Sequence, residues 1–215
     1  MPDTNRIAIV TGGLSGIGRA VAVRLARDGA TVHVGARRGA AADLTAPLTA
    51  EFGDRIGFGR LDVRDSESCA AFVDGVLARH GRVDILVNAA GVYEEEAVAD
   101  HSDRLWNDTI DTNLTGSFKM IRAVMPAMLR QKWGRIVNIA SVAAHQGMAS
   151  NAAYCASKAG LLGLGRCVAL EGAAAGVTCN SVSPTWVETE MLQKFIDDEV
   201  AQGAPRDEVR AKYEA

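Results

Sequence analysis

Apolar residues recur along this chain in two alternating patterns, which together predict its secondary structure. Short apolar runs rich in β-branched residues are typical of buried strands, whereas apolar residues spaced three or four positions apart are typical of helices. The predicted strands cover residues 6–10, 31–34, 56–61, 84–88, 135–139 and 177–182. The helices between them are expected to end near residues 26, 52, 80, 130 and 172.

Strand–helix alternation at this spacing predicts an α/β fold with one doubly wound parallel sheet, helices on both faces and right-handed crossovers. No repeat, low-complexity tract or linker interrupts the pattern, so residues 1–215 are expected to form a single domain. Its last part, about 185–215, is expected to be a C-terminal segment. Within it, residues 191–200 read as an amphipathic helix that either closes over a ligand or simply packs on the domain.

Composition excludes several classes of function. Hydrophobic residues make up 48% of the chain and charged residues 23%, an ordinary globular mixture. A net charge of −3 without a basic stripe argues against nucleic-acid or anionic-membrane partners. No apolar run approaches the roughly 20 residues that cross a bilayer. Residues 1–6 also lack a signal-peptide pattern, so a soluble cytoplasmic protein is expected.

Metal and disulfide chemistry is not indicated either. The cysteines lack Cys-x-x-Cys spacing and the histidines lack ligand clustering, so neither a zinc site nor a disulfide framework is expected. The residues concerned are Cys69, Cys155, Cys167, Cys179, His33, His80, His101 and His145.

A glycine-rich turn joins the first predicted strand to the first helix. Glycines allow the backbone to approach a pyrophosphate closely, and the helix N-terminus supplies free N–H groups. The spacing differs from the common dinucleotide fingerprint, but the strand before and the helix after favour a dinucleotide site over an ordinary turn. The predicted cofactor residues of this turn are Gly12, Leu14, Ser15, Gly16, Ile17 and Gly18.

Arg37 follows the second strand, where an acidic residue would bind the ribose 2′-hydroxyl of NAD. A guanidinium instead suits a 2′-phosphate, because it binds phosphate by charge-assisted hydrogen bonds. The sequence therefore predicts NADP(H), with NAD(H) as the alternative and an exposed loop arginine as the other interpretation. After the third and fourth strands, further cofactor contacts are expected from Asp62, Val63, Asn88, Ala89 and Gly91.

Tyr154 and Lys158 lie four residues apart in a stretch rich in helix formers, so both side chains project from one helical face. Ser141 ends the fifth strand, and open α/β sheets bind their ligands at the carboxyl ends of strands. A phenol, an ammonium group and a hydroxyl are therefore expected to meet there. The positive charge of Lys158, aided by the oxidised nicotinamide, is expected to lower the pKa of Tyr154 and make it an effective general acid and base.

These elements together resemble the short-chain dehydrogenase/reductase family. The matching segments, in the family's order, are 11–18, 62–63, 88–91, Asn113 in Asn-Leu-Thr-Gly, Ser141, Tyr154 with Lys158, and 180–184. The resemblance implies a Rossmann-like fold, nicotinamide-dependent oxidation or reduction of an alcohol or carbonyl, and a homo-oligomer, commonly a tetramer, with a dimer as the alternative. It also implies that Lys158 binds the nicotinamide ribose, that Asn113 holds a proton-relaying water, and that Ser141 orients the substrate oxygen.

Closer similarity is to the ketoreductases of fatty-acid and polyketide synthesis, through segments 105–116, 135–147 and 186–191. Pro184, Val187 and Thr189 are expected beside the nicotinamide. Candidate substrate residues, besides Ser141, are Tyr93, His145, Gln146 and Trp186.

Two departures from the family pattern stand out. Thr185 replaces the usual glycine after the proline, and the chain ends at Ala215, before the family's usual final strand, so six strands are expected. Two alternatives stay open: an NAD-dependent alcohol, sugar or hydroxyacid dehydrogenase, and a dinucleotide-binding regulatory protein without turnover.

Overall fold

The computed structural model of this chain describes residues 5–38 and 42–214. In these residues, six strands form one parallel sheet in the order β3-β2-β1-β4-β5-β6. The strands are β1 (Ile7–Thr11), β2 (Thr31–Ala36), β3 (Ile56–Arg60), β4 (Ile85–Asn88), β5 (Gly134–Ile139) and β6 (Val177–Val182). The predicted fold class and the six strands are thereby confirmed.

Helices cover both faces of this sheet. The described helices are α1 (Gly16–Arg27), α2 (Ala42–Phe52), α3 (Ser66–His80), α4 (Asp103–Ile110), α5 (Gly116–Gln131), α6 (Ala152–Gly172), α7 (Glu190–Ala201) and α8 (Arg206–Glu214). The α1 and α2 face buries one apolar cluster, which includes Ala22, Val34 and Leu48. A larger cluster lies on the opposite face under α3, α5 and α6, and includes Ile9, Met120 and Ile136.

The strand order reverses at β1, which pairs with both β2 and β4. Thr11 lies opposite Gly35 on one side and Asn88 on the other, so the three strands end at a common edge. The loops that follow β1 and β4 therefore diverge and leave a crevice between them, where open α/β sheets bind ligands.

The segment predicted as one helix over 105–130 is interrupted. Between α4 and α5, residues Asp111–Thr115 form a π-helical turn. A glycine is needed directly after it, because a β-carbon at Gly116 would lie 2.6 Å from Val63 Cγ2. Asn113 lies in this turn and its side chain bonds to Val92 and Ser157, a local feature that apolar periodicity does not reveal.

Candidate active site

The floor of the crevice is backbone held by a threonine. Thr11 Oγ1 accepts hydrogen bonds from the N–H groups of Ala89 and Ala90, each at 3.1 Å. Gly12 N–H donates to the Gly35 carbonyl at 2.8 Å. The loops after β1, β2 and β4 are therefore fixed relative to one another before any side chain enters the crevice.

Two glycines allow the backbones to come this close. Gly12 has a φ of +67°, and a β-carbon there would lie 2.8 Å from Ala90 Cα. A β-carbon at Gly18 would lie 2.5 Å from the Gly12 carbonyl oxygen, so α1 and its entry loop can pack only without one. The glycine-rich turn is thus a close-packed cradle that opens at the N-terminus of α1, a geometry suited to a pyrophosphate.

Two adjoining cavities share this floor, and we name each after one lining residue. The Arg37 cavity is lined by Gly12, Leu14, Ser15, Gly35, Ala36, Arg37, Arg38, Leu61, Asp62, Val63, Ala90, Gly91, Val92 and Thr112. The Tyr154 cavity, of about 310 Å³, includes Ser15, Gly16, Ile17, Gly18, Ala89, Tyr93, Ser141, Gln146, Tyr154, Lys158, Pro184, Thr185, Trp186, Val187 and Thr189 in its lining.

The Arg37 cavity is electrostatically suited to an anion. Among the described residues, Arg37 and Arg38 are exposed and form no hydrogen bond or ion pair within the protein. The only carboxylate of the cavity lining, Asp62, accepts hydrogen bonds from Arg64 Nε at 3.0 Å and Nη2 at 2.8 Å. These bonds are the main reason why the pKa of Asp62 is lowered to about 2. The carboxylate is thus matched by a guanidinium, and Arg37 remains available for a bound anion.

Ser141, Tyr154 and Lys158 meet at the end of β5, as the sequence predicts. The Ser141 hydroxyl lies close enough to that of Tyr154 to favour its ionised form, and Ser141 Oγ accepts a hydrogen bond from the Ala143 N–H at 3.2 Å. Lys158 is buried on α6, and its Nζ donates to the Ile139 carbonyl at 2.7 Å. The same Nζ lies 5.4 Å from the centre of the Tyr154 ring. Two hydroxyl groups therefore face the cavity, with a cation behind them.

Burial sets the direction of both pKa shifts at this group. Desolvation lowers the pKa of Lys158 to about 8. It also raises the pKa of Tyr154, against the opposing effect of the nearby Ser141 hydroxyl. For the protein's own groups, desolvation of the phenolate therefore dominates, and the predicted lowering of this pKa, which includes the charge of an oxidised nicotinamide, stays a prediction.

Asn113 supports the site from behind. Its Oδ1 accepts from the Val92 N–H at 2.8 Å, and its Nδ2 donates to the Val92 carbonyl at 3.0 Å and to Ser157 Oγ at 3.1 Å. The side chain therefore joins the loop after β4 to α6 and does not line either cavity. That Asn113 holds a proton-relaying water stays a prediction.

Two other predicted residues lie outside both cavities. Asn88 is buried and donates from Nδ2 to Asn138 Oδ1 at 2.9 Å, so its side chain links β4 to β5. His145 is exposed, and its Nε2 lies 3.0 Å from Ser183 Oγ. That the cofactor passes close to Asn88 and that His145 contacts the substrate stay predictions.

An aromatic series forms the outer wall of the Tyr154 cavity. The Tyr93 ring centre lies 4.7 Å from that of Tyr154 and 4.7 Å from that of Phe195 on α7. Trp186 continues the series toward Tyr213 on α8, at 4.6 Å. Phe195 was not predicted as a pocket residue. Its place in the amphipathic helix was the available signal, but that pattern does not show which surface the helix covers.

A second unpredicted contact joins α7 to α1. Thr189 caps α7 by accepting from the Leu192 N–H at 3.3 Å, and Glu190 Oε2 accepts from the Gly16 N–H at 3.0 Å. Glu188, just before them, pairs with Arg210 of α8 at 3.1 Å. The segment after β6 is thereby tied to both the glycine-rich turn and the last helix.

The described residues contain neither a metal-binding cluster nor a membrane-spanning helix. No group of three or more histidine, cysteine, aspartate or glutamate side chains there is placed to hold a metal ion. No helix in the same residues combines the length and apolarity needed to cross a bilayer.

Comparison with known proteins places this geometry in context. The family profile described as short chain dehydrogenase matches residues 6–200. A ketoacyl reductase ascribed to the monensin polyketide synthase of Streptomyces virginiae is 44% identical, over 89% of this chain and 74% of that protein. The 3-oxoacyl-(acyl-carrier-protein) reductase FabG of Escherichia coli is 40% identical, over 91% and 79%.

Solved structures agree with these sequence relatives. A crystal structure of an actinorhodin polyketide ketoreductase variant with NADPH superposes with a TM-score of 0.87 at 38% identity. The match covers 97% of this chain and 81% of that chain.

Proposed function

Because the chain belongs to the short chain dehydrogenase family, we propose that it is an NADP(H)-dependent reductase that interconverts a ketone and its secondary alcohol. The family and its ketoacyl-reductase relatives make the chain an oxidoreductase of keto or CH–OH groups that uses NAD(P). The finer proposal rests above all on the neighbouring Ser141 and Tyr154 hydroxyl groups, which line one cavity together with buried Lys158.

The cofactor fits the two joined cavities. The cradle of Gly12, Gly16 and Gly18 would hold the pyrophosphate, and Arg37 would bind a 2′-phosphate. Asp62 and Val63 would flank the adenine end, while Ala89, Gly91, Pro184, Val187 and Thr189 would enclose the nicotinamide end. The choice of NADP(H) is supported by the NADPH in the crystal structure of the similar ketoreductase. The ion pair between Asp62 and Arg64 also supports it.

The protein's own part of the reaction is proton transfer and positioning. When bound, the cofactor supplies the hydride. Ser141 and Tyr154 would both hydrogen-bond to the substrate oxygen and stabilise the charge that develops on it. Tyr154 would give its proton to that oxygen during reduction and take one back during oxidation.

Lys158 and Asn113 complete the set in supporting roles. The ammonium group of Lys158, 5.4 Å from the Tyr154 ring centre, would favour the phenolate that forms when the proton leaves. A pKa of about 8 lets Lys158 gain or lose a proton near neutral pH. Asn113 would act as a positioning residue, through Val92 and Ser157.

The substrate class follows from the lining and the relatives. Tyr93, Gln146, Met148, Trp186 and Phe195 make the pocket largely apolar, which suits a 3-oxoacyl thioester or a cyclic ketone. The ketoacyl-reductase names of the relatives support the same class.

A substrate panel with NADPH and with NADH would test the proposal. The absorbance of NADPH should fall when a 3-oxoacyl thioester or cyclic ketone is added. With NADH in place of NADPH, the absorbance should fall at least tenfold more slowly. Preference for NADH would reject the role of Arg37. Tight NADPH binding without turnover of any ketone, sugar or hydroxyacid would favour a regulatory protein.

We also propose that the chain forms a homo-oligomer, a tetramer or dimer, in the cytoplasm. Trp106 on α4 and Phe118 on α5 are 41% and 42% exposed, although large aromatic side chains are usually more deeply buried. Light scattering during gel filtration would measure the assembled mass, and a monomer at micromolar concentration would contradict this.

A further inference from the structure

The first turn of α1 receives its anion from the chain itself. Gly16 N–H donates to Glu190 Oε2 at 3.0 Å, across a sequence separation of 174 positions. Ser15, the N-cap residue, makes no side-chain capping hydrogen bond, and the first turn of α1 contains no acidic residue. The free N–H of Gly16 is therefore satisfied by a carboxylate from α7.

This carboxylate lies where the proposed cofactor needs an anion site. Gly12, Gly16 and Glu190 all line the Tyr154 cavity, and the glycine-rich turn is the cradle assigned above to the pyrophosphate. One N–H cannot fully serve both anions, and two negative groups at this distance repel each other. Glu190 is exposed, so its side chain can rotate into solvent.

We propose that Glu190 is an internal competitor for the pyrophosphate of the dinucleotide, so that cofactor binding releases the first turn of α7 from α1. The inference rests on the proposed function, since it requires a dinucleotide in the glycine-rich cradle. Glu190 then sets cofactor affinity without being a ligand of the cofactor.

The release reaches the substrate wall through α7. Phe195 lies further along that helix and packs on Tyr93 at 4.7 Å, and Tyr93 packs on Tyr154 at 4.7 Å. A shift of the first turn of α7 therefore moves a side chain that borders the substrate space. Cofactor binding and adjustment of the substrate wall become linked events.

Binding measurements test the competition directly. We expect Glu190→Gln and Glu190→Ala to bind NADPH about tenfold more tightly than the wild-type chain in calorimetric titrations. Glu188→Gln is the matched control: it removes the same charge two residues away, where the side chain pairs with Arg210 on α8. Its dissociation constant should stay within twofold of the wild-type value.

Hydrogen exchange of peptide 188–196, without dinucleotide, provides a readout that charge repulsion alone would not change. Exchange should be several-fold faster in Glu190→Ala than in the wild type, because the tie to α1 is lost. Adding inorganic pyrophosphate should speed exchange in the wild type and leave Glu190→Ala unchanged.

Three results would overturn the inference. Unchanged NADPH affinity in both Glu190 variants would remove the competition. Tighter NADPH binding with unchanged hydrogen exchange would mean that Glu190 acts only as a repelling charge. Equally tighter NADPH binding in Glu188→Gln would mean that net charge alone sets the affinity. In each case a wild-type chain that still binds NADPH and reduces ketones would leave the proposed function standing, whereas failure to bind NADPH or NADH would reject both.

Discussion

The two walls of the Tyr154 cavity are held in place in different ways. The inner wall carries Ser141, which accepts a hydrogen bond from the Ala143 N–H just after β5, and Lys158 of α6, which donates to the Ile139 carbonyl at the end of β5. The outer wall includes Phe195 of α7, and α7 packs on α8 around a buried core of Leu192, Ile196 and Val209. A few contacts attach that pair to the domain, among them Glu190 to Gly16 and Phe195 to Tyr93.

This difference separates the groups proposed to transfer protons from the elements that enclose the ligand. Groups that transfer protons must keep their geometry, so they lie on elements buried in the main core. Elements that open for a ligand need low local stability. The three-residue core of α7 and α8, with its exposed contacts to the rest of the domain, provides it. Changes at the inner wall should therefore affect turnover, whereas changes at the outer wall should affect binding.

The largest effect is expected from Tyr154→Phe, at the inner wall. The variant loses the hydroxyl that lies near Ser141 and keeps the ring that packs on Tyr93. We expect kcat to fall by about 10³-fold or more, with NADPH affinity nearly unchanged. Stopped-flow absorbance and calorimetry measure the two quantities. Near-wild-type turnover would contradict the role of Tyr154.

Gly18→Ala tests how tightly the framework is packed. The added β-carbon would meet the Gly12 carbonyl oxygen at 2.5 Å, so we expect the free energy of unfolding to fall by about 1–3 kcal/mol. Gly75→Ala in α3 is the matched control, because nothing lies within 4 Å of its β-carbon position. It should stabilise by up to about 1 kcal/mol in urea titrations. Equal effects would show that the cradle is not close-packed.

Phe195→Ala tests the outer wall. Removing this ring deletes the contact with Tyr93 and opens the substrate space, so we expect KM for an apolar ketone to rise several-fold while kcat changes less than threefold. Lys194→Ala, an exposed neighbour on α7, should leave both parameters unchanged. A large loss of kcat in Phe195→Ala would show that the outer wall also positions the chemistry.

The smallest effect is expected far from either wall, at His33 on β2 and His80 on α3. Their Nε2 atoms lie 2.8 Å apart, and burial together with the charge of His80 lowers the pKa of His33 to about 4. In the unfolded chain this histidine titrates near 6.5. Between these values the unfolded chain binds more protons, so stability should fall as pH decreases from 6.5 toward 4.

Urea titrations at pH 7.5 and pH 5 measure this dependence. His33→Gln should show a loss between the two values that is smaller than the wild-type loss by about 1 kcal/mol. An identical loss in both proteins would assign the acid sensitivity to other groups.

The sequence predicts the framework well because local patterns determine it. The predicted helix end near 172 and the strand bounds 177–182 agree with α6 and β6, where long helical spacing and a β-branched run leave little ambiguity. The position of Ser141 follows from β5, and those of Tyr154 and Lys158 follow from α6. Strand ends in a parallel sheet meet at one edge, so local prediction was enough to bring them together.

The outer wall could not be predicted in the same way. In the described part of α8, Val209 is the one apolar residue in the buried cluster. The sequence of this helix therefore lacks the apolar stripe that marks a helix. The contact between Glu190 and Gly16 joins positions 174 apart, and no local rule anticipates it. The direction of the Tyr154 pKa shift also depends on burial, which spacing alone does not give.

Close approach of Gly12 to Ala90 has a consequence for how this protein can diverge. A ligand that crosses this contact meets backbone atoms. Most side-chain substitutions at the contact are therefore either excluded by steric clash or without effect on ligand recognition. Under the proposed function, the charges that bear on the dinucleotide lie at the margin of this contact, Arg37 in one cavity and Glu190 in the other. Substitution of either charge would then alter cofactor binding without disturbing the contact between Gly12 and Ala90.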